Sequence, residues 1–334
     1  MLVVLTGPTA SGKSALALSL ALDGPLSKQI EIISMDSAQV YRGMNVGTAK
    51  PSLQERKAVA HHLLDLIDPW DSYSAARFRI DALEAVKQIR SAGRIPLIVG
   101  GTLLYGRALA GGLSDLPASN PDIRKRIAQE AIEHGWPAMH ARLAEIDPQT
   151  ASRLKPQDAQ RISRALELFH MTGKAMSQWI AEHPMRLSDC KDESKSGDPT
   201  TPEAHTWISL EPSRRAWLHE RIGMRFKQML AEGLVEEVRN LMAQPGMHAG
   251  LASMRAVGYR QCLQHLEGDG DALCLEARGI AATRQFAKRQ LTWLRSMTQR
   301  TVFACDDAQA RLQARDALVK ALEASAKAAD RRPC

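Results

Sequence analysis

Three short apolar runs frame the first hundred residues. Leu2-Val3-Val4-Leu5, Gln29-Ile30-Glu31-Ile32-Ile33-Ser34-Met35 and Ile95-Pro96-Leu97-Ile98-Val99 have the length and texture of buried strands. Between them the period lengthens to that of a helix. Ala15-Leu16-Ala17-Leu18-Ser19-Leu20 predicts a helix after the first run, and residues 74–91 predict another, capped by Ser74, with an apolar stripe at Phe78, Ala82, Ala85 and Ile89. Gly93 ends it. His61 to Ile67 predicts an additional strand, on which the adjacent His61 and His62 point to opposite faces and read as structural rather than metal-binding. Residues 41–51, with Gly43, Gly47 and Pro51, read as a loop. Strands alternating with amphipathic helices predict an α/β fold with a parallel sheet.

The texture changes after the Gly, Pro, Ser and Asp cluster that runs from Gly111-Gly112 to Asn120-Pro121. Residues 121–181 predict three or four helices, including 121–134 and 158–171, and no strand, so an all-helical domain is inserted in the core. A polar, Pro-containing stretch, 183–205, is expected to be a mobile surface loop. Trp207-Ile208-Ser209-Leu210 returns to strand texture. A long helix follows over 214–232, holding Arg221 and Arg225 on one face. Gly258 interrupts helical segments near 253–266. Thr301 to Cys305 predicts a last strand, before a terminal helix that frays after Ala328. The expected domains are 1–112 for the first part of the core, 113–205 for the insertion and 206–334 for completion of the core.

A length of 334 residues suits a large α/β domain with an insertion, and 44% hydrophobic with 24% charged residues is a globular composition. No apolar run reaches the roughly 18–20 residues that cross a bilayer, so no membrane partner is expected. The N-terminus does not resemble a secretory signal, because the first strand follows Met1 directly, and a cytoplasmic protein is expected. The five cysteines have no paired spacing and no histidines at zinc-ligand distances, which points to reduced thiols and away from a cysteine metal site. A net charge of +7 permits a polyanionic partner. Its distribution is more informative: no carboxylate occurs between Ala277 and Cys305. On a helix, Arg284, Lys288 and Arg295 form one stripe, with Phe286, Trp293 and Met297 roughly opposite. The core is expected to take the aromatics and leave the cations free. On its own, this stretch reads equally as a nucleic-acid face and as a solvated helix.

The strongest chemical signal is Gly7-Pro8-Thr9-Ala10-Ser11-Gly12-Lys13-Ser14, placed between a strand and a helix. Every fixed position of the P-loop pattern is filled. Its glycines let backbone N–H groups curl around a phosphate at a helix N-terminus, Lys13 reaches a terminal phosphate, and Ser14 can hold Mg²⁺. Asp36-Ser37-Ala38-Gln39 follows the second apolar run, and Gly100-Gly101-Thr102 the third, so both lie at the C-terminal edge of the sheet, where ligands bind. Thr102 offers a hydroxyl to a ligand, or to the start of a helix. A small-molecule P-loop kinase accounts for these features but not for the basic helices. A motor NTPase would carry an Asp at the end of the strand that here finishes Val99-Gly100-Gly101.

Taken in order, the blocks GPTASGKS, DSAQVYRGMNVGTAKP, IPLIVGGTLLY, QRISRALE, RAVGYRQ and KRQLTWLR resemble the bacterial tRNA dimethylallyltransferase (tRNA isopentenyltransferase) family over nearly the whole chain. The resemblance implies a P-loop NTPase-like core and transfer of a dimethylallyl group from its diphosphate to N6 of adenosine 37, beside the tRNA anticodon. It implies Asp36 as base, Thr102 as a hydrogen-bonding partner, and Lys13 and Arg225 with Mg²⁺ as the diphosphate clamp. It places tRNA contacts at Asp36, Ser37, Ala38 and Gln39, at Thr102 and Arg124, and at Gln160, Arg161, Ile162, Ser163 and Arg164. Further contacts fall at Arg255, Ala256, Val257, Gly258, Tyr259 and Arg260, and at Lys288, Arg289, Gln290, Leu291, Thr292, Trp293, Leu294 and Arg295. A monomer is expected. A kinase, a prenyltransferase of free adenine nucleotides and an RNA-binding module with a regulatory nucleotide site stay as alternatives, and ATP stays open as an additional ligand of the P-loop.

Overall fold

The computed structural model describes residues 1–111, 116–117, 119–182 and 204–330. Strands β1 (Leu2–Thr6), β2 (Ile30–Ser34), β3 (His61–His62), β4 (Ile95–Gly100), β5 (His205–Glu211) and β6 (Arg300–Ala304) form a parallel sheet in the order β3-β2-β4-β1-β5-β6. The helices of the N-terminal part are α1 (Lys13–Asp23), α2 (Leu53–Ala58), α3 (Ala75–Ser91) and α4 (Leu103–Leu109). Next come α5 (Pro121–His134), α6 (Trp136–Ile146), α7 (Pro148–Ala151), α8 (Ala159–Thr172) and α9 (Met176–Glu182). The chain closes with α10 (Arg215–Ala231), α11 (Leu234–Met242), α12 (Tyr259–Leu266), α13 (Ala272–Ser296) and α14 (Ala308–Asp330). The described residues of Met1–Ala110 and Asp192–Cys334 make one compact unit and those of Gly111–Lys191 another.

Central strands of a parallel sheet bury both faces, which is why β1 and β4 read as unbroken apolar runs. Val3, Leu5, Leu97 and Val99 pack with Ala17 and Leu20 of α1 and Leu318 and Leu322 of α14. The alternate residues Leu2, Val4 and Ile98 pack with Phe78, Ala82 and Ile89 of α3 and Leu109 of α4. Helix α3 forms as its stripe predicts: the Ser74 side chain accepts from the Arg77 N–H, and Phe78, Ala82, Ala85, Val86 and Ile89 are buried. Helices α10, α11 and α12 close a further core around Val40, Tyr41 and Met44, in which Leu275 of α13 also takes part.

The unit within 111–191 has its own core, built from Ile127, Leu143, Ile162 and Leu166. Its described residues hold five helices, one or two more than the sequence suggests. Asp147 explains the difference. Its carboxylate accepts from the Thr150 N–H at 3.0 Å, starting the four-residue α7, and from the Ser177 N–H at 2.9 Å.

Most of the stretch expected to be a mobile loop, 183–205, lies outside the described residues, although His205 already belongs to β5. Cys190 and Cys334 also lie outside; Cys262, Cys274 and Cys305 are free. Helix α14 is described to Asp330, and most of the stretch expected to fray after Ala328 lies outside the described residues. Among the described residues, no helix is long and apolar enough to cross a membrane.

Candidate active site

β1 ends at Thr6 and α1 begins at Lys13, so the six residues between them must reverse the chain. Gly12, at φ +92°, takes the left-handed conformation at the N-cap, where a side chain would be strained. The open amides of the first helical turn face the loop and favour an anion. Ser11 Oγ is buried without a hydrogen-bond partner, and a phosphate oxygen in the loop would satisfy it.

Three cations gather here. Lys13 Nζ donates to the Pro8 carbonyl at 3.3 Å. Burial above all, and then the Arg225 charge, push the Lys13 pKa down to about 8, against the pull of Asp36 and Cys305. On α10, Arg221 Nε donates to the Ala10 carbonyl at 3.0 Å while its guanidinium lies 4.9 Å over the Trp217 ring. One turn further along, Arg225 makes no ion pair among the described residues; burial lowers its pKa, Asp36 opposes that shift, and Arg221 adds to it. Three crowded cations faced by the single carboxylate of Asp36 leave a net positive charge that favours an anion.

Asp36 stands at the end of β2, separated from β1 by β4. Its Oδ1 accepts from the N–H groups of Ala38 at 2.9 Å and Gln39 at 3.4 Å, while Oδ2 has no hydrogen bond among the described residues. One oxygen fixes the turn and the other is not engaged by it. Gln39 anchors that turn from below: its Oε1 accepts from Ser34 Oγ at 2.9 Å and its Nε2 donates to the Thr48 carbonyl at 3.2 Å. Thr102 occupies the N-cap position of α4 but its hydroxyl caps nothing. Instead Oγ1 accepts from the Ser37 N–H at 3.0 Å and donates to Ser37 Oγ at 3.3 Å. Thr102 thus holds the residue after Asp36.

Ser14 is exposed in the first turn of α1. No group of three His, Cys, Asp or Glu able to hold a metal occurs among the described residues. A metal here would take most of its ligands from phosphate oxygens and water, as Mg²⁺ does, and the Ser14 hydroxyl could serve as a protein ligand.

The remaining expected contacts separate by burial. Lys288, Arg289, Thr292, Trp293 and Arg295 are exposed on α13, Arg255 and Arg260 flank the start of α12, and Gln160 and Arg161 lie open on α8. Ser163, Ala256, Val257 and Leu291 are half-buried. Ile162, Gly258, Tyr259 and Leu294 are buried, Ile162 and Tyr259 within hydrophobic cores, so these four of the expected RNA contacts present almost no side-chain surface. Gln290 is buried as well, with 6% of its surface exposed and its amide turned to the P-loop. The stripe assignment on α13 also changes. Its buried side is Leu275, Gly279, Ala287, Gln290 and Leu294, while Trp293 is 39% exposed beside the cations. An exposed indole among arginines is suited to stacking on a base.

Two carboxylates not among the expected site residues hold these segments together, one of them the last residue of the QRISRALE block. Glu237 on α11 accepts from the N–H groups of Asn45 at 2.9 Å, Val46 at 2.8 Å and Gly47 at 3.2 Å, and from the Tyr259 hydroxyl. It joins the MNVGTAKP segment to the RAVGYRQ segment. Glu167 is buried in the helical unit, where it accepts from Ser119 Oγ at 2.6 Å, the Asn120 N–H at 2.8 Å and Arg164 at 2.8 Å, with Arg124 Nε 3.3 Å away. Burial raises its pKa, but hydrogen bonds from Ser119, Arg164 and Asn120 outweigh that and leave it lowered. The signal available for Glu167 was its place three residues after Arg164 on one helix face.

A family model described as IPP transferase matches residues 39–297. A tRNA dimethylallyltransferase of Burkholderia pseudomallei (strain 668) is 52% identical over 324 residues, covering 97% of this chain and 96% of the relative. One from Burkholderia thailandensis is 52% identical over 319 residues, covering 96% and 94%. Among solved structures, the full-length tRNA isopentenylpyrophosphate transferase of Bacillus halodurans superposes with a TM-score of 0.64 at 32% identity, over 98% of both chains. A eukaryotic dimethylallyltransferase acting on tRNA gives a TM-score of 0.72 at 25% identity, over 92% of this chain and 74% of its own.

Proposed function

This chain belongs to the IPP transferase family, and on that footing we propose that it transfers a dimethylallyl group from dimethylallyl diphosphate to N6 of adenosine 37 of a tRNA. One arrangement carries the conclusion: a carboxylate with a free oxygen, Asp36 Oδ2, beside a phosphate loop crowded by Lys13, Arg221 and Arg225. A plain kinase accounts for the cradle and the carboxylate facing it but not for the stretch of α13 beyond Ala277, which carries cations and no carboxylate. The protein is taken to act as a monomer in the cytoplasm.

In the transfer, the N6 lone pair attacks the allylic carbon, the C–O bond to diphosphate breaks, and the N–H proton passes to Asp36 Oδ2. Charge builds on the departing diphosphate, and the P-loop amides, Lys13 and Arg225 stabilise it. A bound Mg²⁺, held by the Ser14 hydroxyl, would supply further neutralisation of that charge. Here the P-loop grips a leaving group. The exocyclic amine is a poor nucleophile because its lone pair is delocalised into the ring, so proton acceptance by Asp36 is what makes it reactive. Thr102 keeps the Ser37 N–H and hydroxyl engaged and thereby fixes the base. A stacked adenine cannot reach this edge, so the base is flipped into the crevice.

The lowered Lys13 pKa gives a pH dependence with a definite sign. Lys13 titrates near pH 8 in the free protein, and a bound diphosphate raises that value by favouring the charged form. Below pH 8 the affinity for dimethylallyl diphosphate is level; above it, binding takes up a proton and affinity falls up to about tenfold per pH unit. Calorimetry at pH 8.5 in buffers of differing ionisation enthalpy reads the uptake directly. Zero uptake would show that Lys13 does not meet the diphosphate.

On the RNA side, Lys288→Ala is expected to weaken tRNA binding and to reduce the slope of log K against log salt by about 0.7–0.9, the loss of one phosphate contact. An unchanged slope would remove Lys288 from the interface. For the reaction itself, radiolabelled dimethylallyl diphosphate is offered to an unmodified anticodon stem-loop and, separately, to AMP. Label in the stem-loop alone is the expected result; label in AMP alone would give the free-nucleotide reading.

A further inference from the structure

The amide of Gln290 joins three elements that surround the crevice. Gln290 projects from α13, and its Oε1 accepts from the Thr9 N–H in the P-loop at 2.8 Å. Its Nε2 donates to the Gly101 carbonyl at 2.9 Å, in the turn between β4 and α4. Gly101 is shaped to admit it: a Cβ there would lie 2.4 Å from Gln290 Nε2 and 3.0 Å from the Gly7 carbonyl. Donor and acceptor are therefore both used, in a site from which a bulkier turn would exclude the amide. The next turns of the same helix carry Lys288, Arg289, Thr292, Trp293 and Arg295 on the exposed side. A helix is stiff over such a span, so a force applied by RNA on the outer side is felt at Gln290 on the inner side.

We propose that Gln290 is a positioning residue through which occupancy of α13 by the anticodon stem-loop tightens the P-loop around diphosphate; this rests on the functional reading above. The effect is a coupling between two sites and is reciprocal, so diphosphate strengthens RNA binding by the same factor. It operates at Thr9, whose N–H direction is set by Gln290 and whose neighbours line the loop. A side chain that served stability alone would leave that factor untouched.

The test is the Kd of inorganic diphosphate with Mg²⁺, measured on the full chain with and without saturating unmodified stem-loop RNA, a pair that cannot react. In the wild type the RNA is expected to lower this Kd about fivefold or more. In Gln290→Met, of similar length but unable to hydrogen-bond, the ratio is expected to fall to within about twofold of one. Gly101→Ala, which displaces the amide from the other side, is expected to do the same and serves if Gln290→Met does not fold. A ratio of one in a wild type that binds both partners, or a wild-type ratio in either folded variant, overturns the inference. Failure of the wild type to bind either partner instead overturns the functional reading and the inference with it.

Discussion

Asp36→Asn lowers turnover by roughly 10²–10⁴-fold while tRNA affinity stays within about twofold of wild type, the range expected when a positioned base is lost. Asparagine is a better replacement than alanine here. Asp36 Oδ1 is already engaged with the N–H groups of Ala38 and Gln39, and an Asn side chain keeps that acceptor, so the turn survives. What it lacks is a basic second oxygen. Single-turnover rates with preformed protein–tRNA complex separate the two effects, because the chemical step slows while the complex is formed as before. Turnover within a few-fold of wild type would mean that another group takes the proton.

Arg225→Ala carries the second large effect, a fall in turnover of about 10²–10³-fold, comparable to removing one donor from a preorganised anion site. It also leaves a separate mark on Lys13. The Arg225 charge is the second cause of the low Lys13 pKa, after burial. Without that charge, Lys13 holds its proton to higher pH, and the pH at which diphosphate affinity begins to fall moves above 8. A variant that lost activity with the breakpoint unmoved would show that Arg225 acts away from Lys13. Arg225→Lys tests geometry more than charge, since a lysine cannot grip two phosphate oxygens with one planar fork.

Much of the core was legible because strand and helix periods differ and because a P-loop fixes its own context. The run Leu2 to Leu5, the Gly12 turn and the Ser74 cap each behave as local physics dictates. Asp36 and Thr102 could be placed at one sheet edge because the ends of successive strands in a parallel sheet share that edge. Other features depended on tertiary contacts that no local pattern encodes. On α13, a spacing of cations and aromatics suggested that the rings were internal, yet the helix turns Ala287, Gln290 and Leu294 inward and leaves Trp293 out. A buried glutamine looks polar in a sequence and is satisfied only by Thr9 and Gly101, which lie 281 and 189 residues away along the chain. Tyr259 sits in a basic motif but is fully buried, with its hydroxyl on Glu237. Within these motifs exposed cations such as Lys288 and Arg289 stand beside buried residues such as Gln290 and Leu294 that pack the helix, a division that only the tertiary contacts decide.

Dimethylallyl transfer to adenosine 37 is tested most directly by mass spectrometry of nucleosides. Unmodified tRNA is incubated with the full chain, Mg²⁺ and dimethylallyl diphosphate, then digested, with a parallel ribonuclease map to locate the product. N6-dimethylallyladenosine at position 37, formed only when protein and donor are both present, is the predicted result. Unmodified adenosine at that position, with intact protein and donor in the same sample, would contradict the assignment.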